Sequence, residues 1–207
     1  ISTAHQLTPL LDALDARELA VWGLVLEENL EEVDTFSVGQ AHVAGITCSY
    51  YGTQQLTRDH GGACVYGGSD LVLVRGGYDA LLQLELDQAQ RLAITQARAY
   101  EQAAIATLPG FIASRRNYDV ARGVTCDGRR RSGVLEQSWR VGGASSAELL
   151  ALQAFADDPA LQRVRASTHE VFGEVELPAD ATMFYQGDDR EVGRISKYAR
   201  IRDYDHP

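Results

Sequence analysis

Lysine is nearly absent from this chain: Lys197 is the only one among its 19 basic residues. Chemistry that uses a lysine to hold phosphate therefore has a single candidate, near the C-terminus. Positive charge is short overall. The 19 Lys and Arg residues face 29 Asp and Glu, a formal net charge of −10, which argues against nonspecific nucleic-acid binding, where phosphates have to be neutralised. Cysteine is sparse too. Cys48, Cys64 and Cys126 are scattered, with no CxxC pair and no paired histidines, so no zinc site is expected. No apolar run approaches the roughly 18 residues that span a bilayer, so no membrane partner is expected. No secretory signal is visible, and few cysteines without an export signal fit a reducing cytoplasm. The chain opens on Ile1 rather than Met, which reads as a fragment or a trimmed chain.

What is present has an ordinary globular composition, 45% hydrophobic and 23% charged, in 207 residues that suffice for one large domain or two small ones. Residues 2–23 read as helical, with Thr8 as an N-cap before Pro9. Residues 23–29 ("GLVLEEN") read as a strand, and 35–56 as a long strand or a hairpin rich in β-branched and aromatic residues. A Gly-rich loop over 57–70 carries Gly61, Gly62, Gly67 and Gly68, and is either a substrate lid or a plain connection. The helical period from Tyr78 to Leu108 predicts one long helix stopped by Pro109-Gly110. Two strand-like pieces flank a tight turn at Cys126-Asp127-Gly128, which predicts an antiparallel pair. A helix follows, capped by Ser145 or Ser146, and then a tail of strands. No internal repeat is visible. The class is α+β, a mostly antiparallel sheet with packed helices.

Two stretches carry chemistry. "GLVLEENLEEVDTFSVGQ" places five carboxylates, Glu27, Glu28, Glu31, Glu32 and Asp34, between two strand-like segments. Taken as residues alone, they solubilise a loop. "NYDVARG…GVLEQSWRVGG" puts Asp119 on one strand and Glu136 on its hairpin partner. If both point to one face they suit Mg²⁺, a hard cation held by one or two carboxylates and completed by water and phosphate oxygens. Arg115, Arg116 and Arg140 on the same strands offer bidentate contacts to anionic oxygens. The plainer reading is a solvated hairpin with cross-strand ion pairs.

In the order of these parts the chain resembles the ATP-grasp superfamily, over about Gly23 to Ala154. It also resembles an uncharacterised proteobacterial family of ATP-grasp type. The resemblance implies the C-terminal lobe of an ATP- and Mg²⁺-dependent ligase that joins a carboxylate to an amine through an acyl-phosphate. Glu27, or Glu28 with the register slipped by one, takes the place of the acidic residue at the adenine amino group. Leu30 supplies a backbone contact to the ring, and Asp34 meets the ribose. Asp119 and Glu136 occupy the first two metal-ligand positions, and Ser138 stands where the family has Asn. Arg140 falls where a basic residue meets phosphates or acyl substrate, with Arg116 beside it as a second catalytic candidate. On this reading residues 1–22 are the tail of a preceding lobe and 23–207 the ATP-grasp-like domain. The lobe whose lysine and Gly-rich loop hold the phosphates is lacking, so the chain alone is expected to be catalytically silent. A noncatalytic nucleotide-binding or assembly module is the alternative. Small carboxylate and amine substrates are the expected partners, with no nucleic acid; a homo-oligomer is left open.

Overall fold

Alternation of side chains along three consecutive hairpin strands sets the architecture. The structure, a computed structural model, describes residues 4–205. Strands β1 (Glu31–Val43), β2 (Ile46–Arg58) and β3 (Cys64–Arg75) pair antiparallel in chain order. A two-residue turn at Ala44-Gly45 joins the first two. After the helices α3 (Tyr78–Leu81) and α4 (Gln88–Thr107) come β4 (Arg115–Val124) and β5 (Arg130–Ser138). Helix α5 (Ser145–Asp157) precedes β6 (Arg163–Phe172), β7 (Ala181–Asp189) and β8 (Gly193–Asp205). The strands form one eight-stranded sheet in the order β5-β4-β1-β2-β3-β6-β8-β7. The pairs β3/β6, β6/β8 and β7/β8 are antiparallel as well.

Both faces of the sheet are covered. Ala41, Cys48, Tyr50, Leu71, Leu73, Val164 and Ala166 point to one face, where α5 lays down Ala147, Ala151, Leu152 and Phe155. Phe36, Val38, Val74, Tyr118 and Val120 point to the other, against Ala93, Ile94 and Ala97 of α4. This two-residue period decides the fate of β4. Tyr118 and Val120 enter the α4 core, and Arg115, Asn117 and Asp119 turn to the α5 face. Arg75 closes the far end of α5. Its guanidinium donates to the carbonyls of Phe155 and Asp158 (3.0 Å for the latter) and lies 5.0 Å from the centre of the Phe155 ring, where a cation complements the helix C-terminus.

The chain divides into two compact units, residues 4–33 with 122–131 and residues 34–121 with 132–205. In the smaller unit, Ser2 and Thr3 of the expected helix lie outside the described residues. Two helices stand in place of one: α1 (Ala4–Asp12) holds Pro9 inside it, so Thr8 is not its N-cap. Asp15 accepts the Arg17 amide at 2.7 Å to start α2 (Ala16–Trp22). Residues 23–30 are not a strand. Leu24, Val25 and Leu26 are exposed, and an apolar run without a neighbouring ladder gains little from extension. The strand starts at Glu31, so Glu31, Glu32 and Asp34 lie on β1 instead of in a loop.

Two further expectations change. The apolar period from Tyr78 to Leu108 is broken between Leu81 and Gln88, because Asp87 accepts the Gln90 amide at 2.8 Å and Gln90 returns a bond at 3.0 Å, a capping box that starts α4 afresh. Gly67 and Gly68 belong to β3, not to a lid. Gly68 has φ 138°, and a Cβ there would lie 2.0 Å from the Thr168 carbonyl oxygen on β6, so glycine is what lets the two strands meet.

Candidate functional site: a trough across the sheet

On the α5 face, beyond the start of that helix, the larger unit holds a cavity of about 420 Å³. Its floor crosses six neighbouring strands. Glu136 and Ser138 come from β5, Arg115, Asn117 and Asp119 from β4, and Ser37 from β1. Gln54 comes from β2, Tyr66 and Ser69 from β3, and Glu170 from β6. Arg140, Gly142, Gly143 and Ala144, which lead into α5, form its lip. A Cβ on Gly143 would lie 2.6 Å from the Tyr66 ring, so the lip sits on that ring only because residue 143 has no side chain. Strands lie about 4.8 Å apart, so the four steps from β4 to β6 separate Asp119 from Glu170 by roughly 19 Å of sheet. The cavity is a trough with distinct ends.

At the β4–β5 end, Asp119 accepts from Gln54 Nε2 at 2.9 Å, from Asn117 Nδ2 at 3.1 Å and from Ser37 Oγ at 3.3 Å. Every donor is neutral, so the carboxylate is oriented but its charge is not offset. The Glu136 side chain makes no hydrogen bond or ion pair among the described residues. Two oxygen ligands of this kind fit a hard divalent cation, with the Ser138 hydroxyl on the same wall. They do not make a cage by themselves: among the described residues no group of three or more His, Cys, Asp or Glu is placed to hold a metal.

Behind the lip lies a buried polar network. Arg115 Nε donates to both Glu148 oxygens at 3.0 and 3.1 Å, and Glu148 also takes the Tyr50 hydroxyl at 2.5 Å. Glu148 and Tyr50 are essentially buried. Burial pushes the Tyr50 phenol well up, and the Glu148 charge pushes it further. Burial opposes the charge on Arg115, but Tyr50 and Glu148 outweigh it and hold that guanidinium above its ordinary range. Arg115 Nη2 lies 2.9 Å from Glu148 Oε1, and Nη1 donates to the carbonyls of Ser138 (3.2 Å) and Arg140 (2.7 Å). Arg115 thus fastens the lip to the sheet. Among the described residues the Arg140 guanidinium bonds only the Val141 carbonyl, at 2.9 Å, and it is the cation whose charge is open to the trough.

The other predicted residues are not walls of this trough. Arg116 faces the opposite side of β4, since successive side chains alternate. It lies 3.0 Å from Glu101 Oε2 without hydrogen-bond geometry at Nε, and donates to Gln40 Oε1 at 2.6 Å. Tyr118 and Trp139 on that side are packing residues. Tyr118 donates to Glu101 at 3.3 Å and accepts from Trp139, whose ring meets Phe111 at 4.5 Å. Burial lifts the Tyr118 phenol to about 12. Asp34 shares the parity of Phe36 on β1, not that of Ser37. Glu27, Glu28 and Leu30 belong to the smaller unit; there Glu28 forms an exposed ion pair with Arg131 at 3.5 Å. In the same unit Arg129 pairs with Asp127 at 2.7 Å. His60, on the β2–β3 turn, bonds the Arg194 carbonyl at 2.9 Å and meets Phe172 edge-on.

Sequence reasoning missed the β1, β2, β3 and β6 walls and the Glu148 support. Asn117 alone had a local signal, two residues from Asp119 on the same strand face. No helix among the described residues is long and apolar enough to cross a membrane. Comparison with curated proteins and with solved structures gives no match. A family model does match residues 1–199, and the chain belongs to that family, described as Protein of unknown function (DUF3182).

Proposed function

We propose that the trough binds the phosphates of ATP together with Mg²⁺, in a ligase of ATP-grasp type that activates a carboxylate for attack by an amine. The observation that supports this reading is the pairing of Asp119 and Glu136, on adjacent strands, in one cavity with Arg140. Neither carboxylate has a cationic partner among the described residues. Asp119 and Glu136 would hold the metal, with Ser138 beside them. The metal would neutralise charge on the transferred phosphoryl group, and that neutralisation with positioning is most of what phosphoryl transfer asks of a protein. Arg140 would meet phosphate or acyl oxygens from the lip, and Arg115 positions that lip through the Ser138 and Arg140 carbonyls. The contacts expected of Glu27, Glu28, Leu30 and Asp34 are not needed for this end of the nucleotide, which is the part the cavity supports.

The test is titration with ATP in Mg²⁺ and, separately, with adenosine. Asp119→Asn is expected to weaken ATP at least tenfold and to leave adenosine nearly unchanged. Wild-type protein that ignores ATP, or a variant that binds it equally well, would overturn the reading; equal loss of both ligands would mark a folding defect. One observation favours a noncatalytic nucleotide-binding module: no lysine lines the trough, and Glu148 already neutralises Arg115. Release of ADP in a coupled assay with carboxylate and amine separates the two.

A further inference from the structure

We propose that the Glu170 end of the trough binds a primary ammonium group carried on an extended chain. The proposal rests on the ligase reading and adds to it a contact for a second, charged amine on the substrate, apart from the one that attacks. Glu170 lines the trough, and its Oε2 lies 2.9 Å from Lys197 Nζ in an ion pair across the β6–β8 pair. No partner to Oε1 exists among the described residues, so half of the carboxylate is open. The Lys197 side chain is 43% exposed and that of Glu170 19%; the lysine lies on the water side of the pair and is not itself a wall. The nearby oxygens are neutral acceptors: Tyr66 Oη lies 2.8 Å from Ser69 Oγ, and burial keeps that phenol protonated at neutral pH.

The walls as a whole favour cations. Asp119 and Glu136 have no cationic partner among the described residues and Glu170 shares its charge with Lys197, whereas of the two wall cations Arg115 is paired with Glu148 and leaves Arg140 alone. An ammonium has three donors, enough for Glu170 Oε1 and the hydroxyls beside it. An attacking amine must be uncharged, so a group that Glu170 holds as an ammonium is not the nucleophile. It anchors the far end of an elongated substrate. Lys197, tied to the same carboxylate, is a tethered competitor for that position.

The competition gives an experiment whose variants move in opposite directions. Titration calorimetry with 1,4-diaminobutane, at low salt and without nucleotide, should show binding that Glu170→Gln weakens at least tenfold. Lys197→Met should tighten it several-fold, a gain that misfolding cannot imitate, and Lys197→Arg should stay near wild type. Glu174→Gln removes a charge of the same sign nearby, from an exposed pair with Arg194, and should change nothing. No binding by the wild type, full binding by Glu170→Gln, unchanged or weaker binding by Lys197→Met, or an equal loss in Glu174→Gln would each overturn the proposal. Because ATP is absent from this titration, its failure leaves the nucleotide reading to stand or fall on Asp119→Asn.

Discussion

Glu148 is the residue on which the lip depends. It is 2% exposed and carries its charge against a guanidinium whose side chain is 11% exposed. Burying such a pair stabilises little, since desolvation offsets attraction, but removing one partner leaves the other charged and dry, at a cost of about 3–5 kcal/mol. Glu148→Gln keeps the shape and removes the charge, so chemical denaturation should show a loss of that order. Adding Arg115→Met to it should recover part of the stability, because neither charge then remains. Function should not recover with it. Arg115 also holds the Ser138 and Arg140 carbonyls, and the double variant should bind MgATP more weakly than the wild type although it is folded. Recovery of both together would show that the lip needs no fastening.

At the scale of elements, start signals and close approaches decide what forms. Asp87→Ala removes the cap of α4 and should cost about 1 kcal/mol. Gly68→Ala would press a methyl into the Thr168 carbonyl and should cost more; thermal unfolding of the two variants checks the order. The same two places explain what could be read beforehand. The capping box is written in the sequence as Asp87 and Gln90, but an unbroken apolar period hides it. Gly67-Gly68 looks like a loop because glycine density signals turns, and only the approach of β6 shows why a strand needs it there. The β4–β5 hairpin and α5 were legible from alternation, the Asp-Gly turn and the helical run, and with them Asp119, Glu136, Ser138 and Arg140 on one wall. The opposite wall was not: Tyr66, Ser69 and Glu170 reach the trough through the sheet order β4-β1-β2-β3-β6, which no local pattern encodes. Residues 23–30 misled because apolar composition implies a strand only where another strand stands beside it.

The whole molecule adds a field that its sites must work against. With a net charge of −10, the chain repels MgATP, itself a dianion, at distances beyond the reach of Arg140. Screening acts first on this long-range part: the Debye length falls from about 30 Å at 0.01 M salt to about 8 Å at 0.15 M. Contacts inside the trough are closer than that and lose less. Adding salt over this range should therefore raise the association rate of MgATP, the reverse of what a basic phosphate-binding surface shows. A dication such as 1,4-diaminobutane is drawn in by the same field, and its association should slow. Stopped-flow rates for the two ligands at several salt concentrations make the comparison. A MgATP rate that falls steeply with salt would mean that a cluster of cations captures the nucleotide. The trough has only Arg140 to offer, so that outcome would move the nucleotide site elsewhere on the protein.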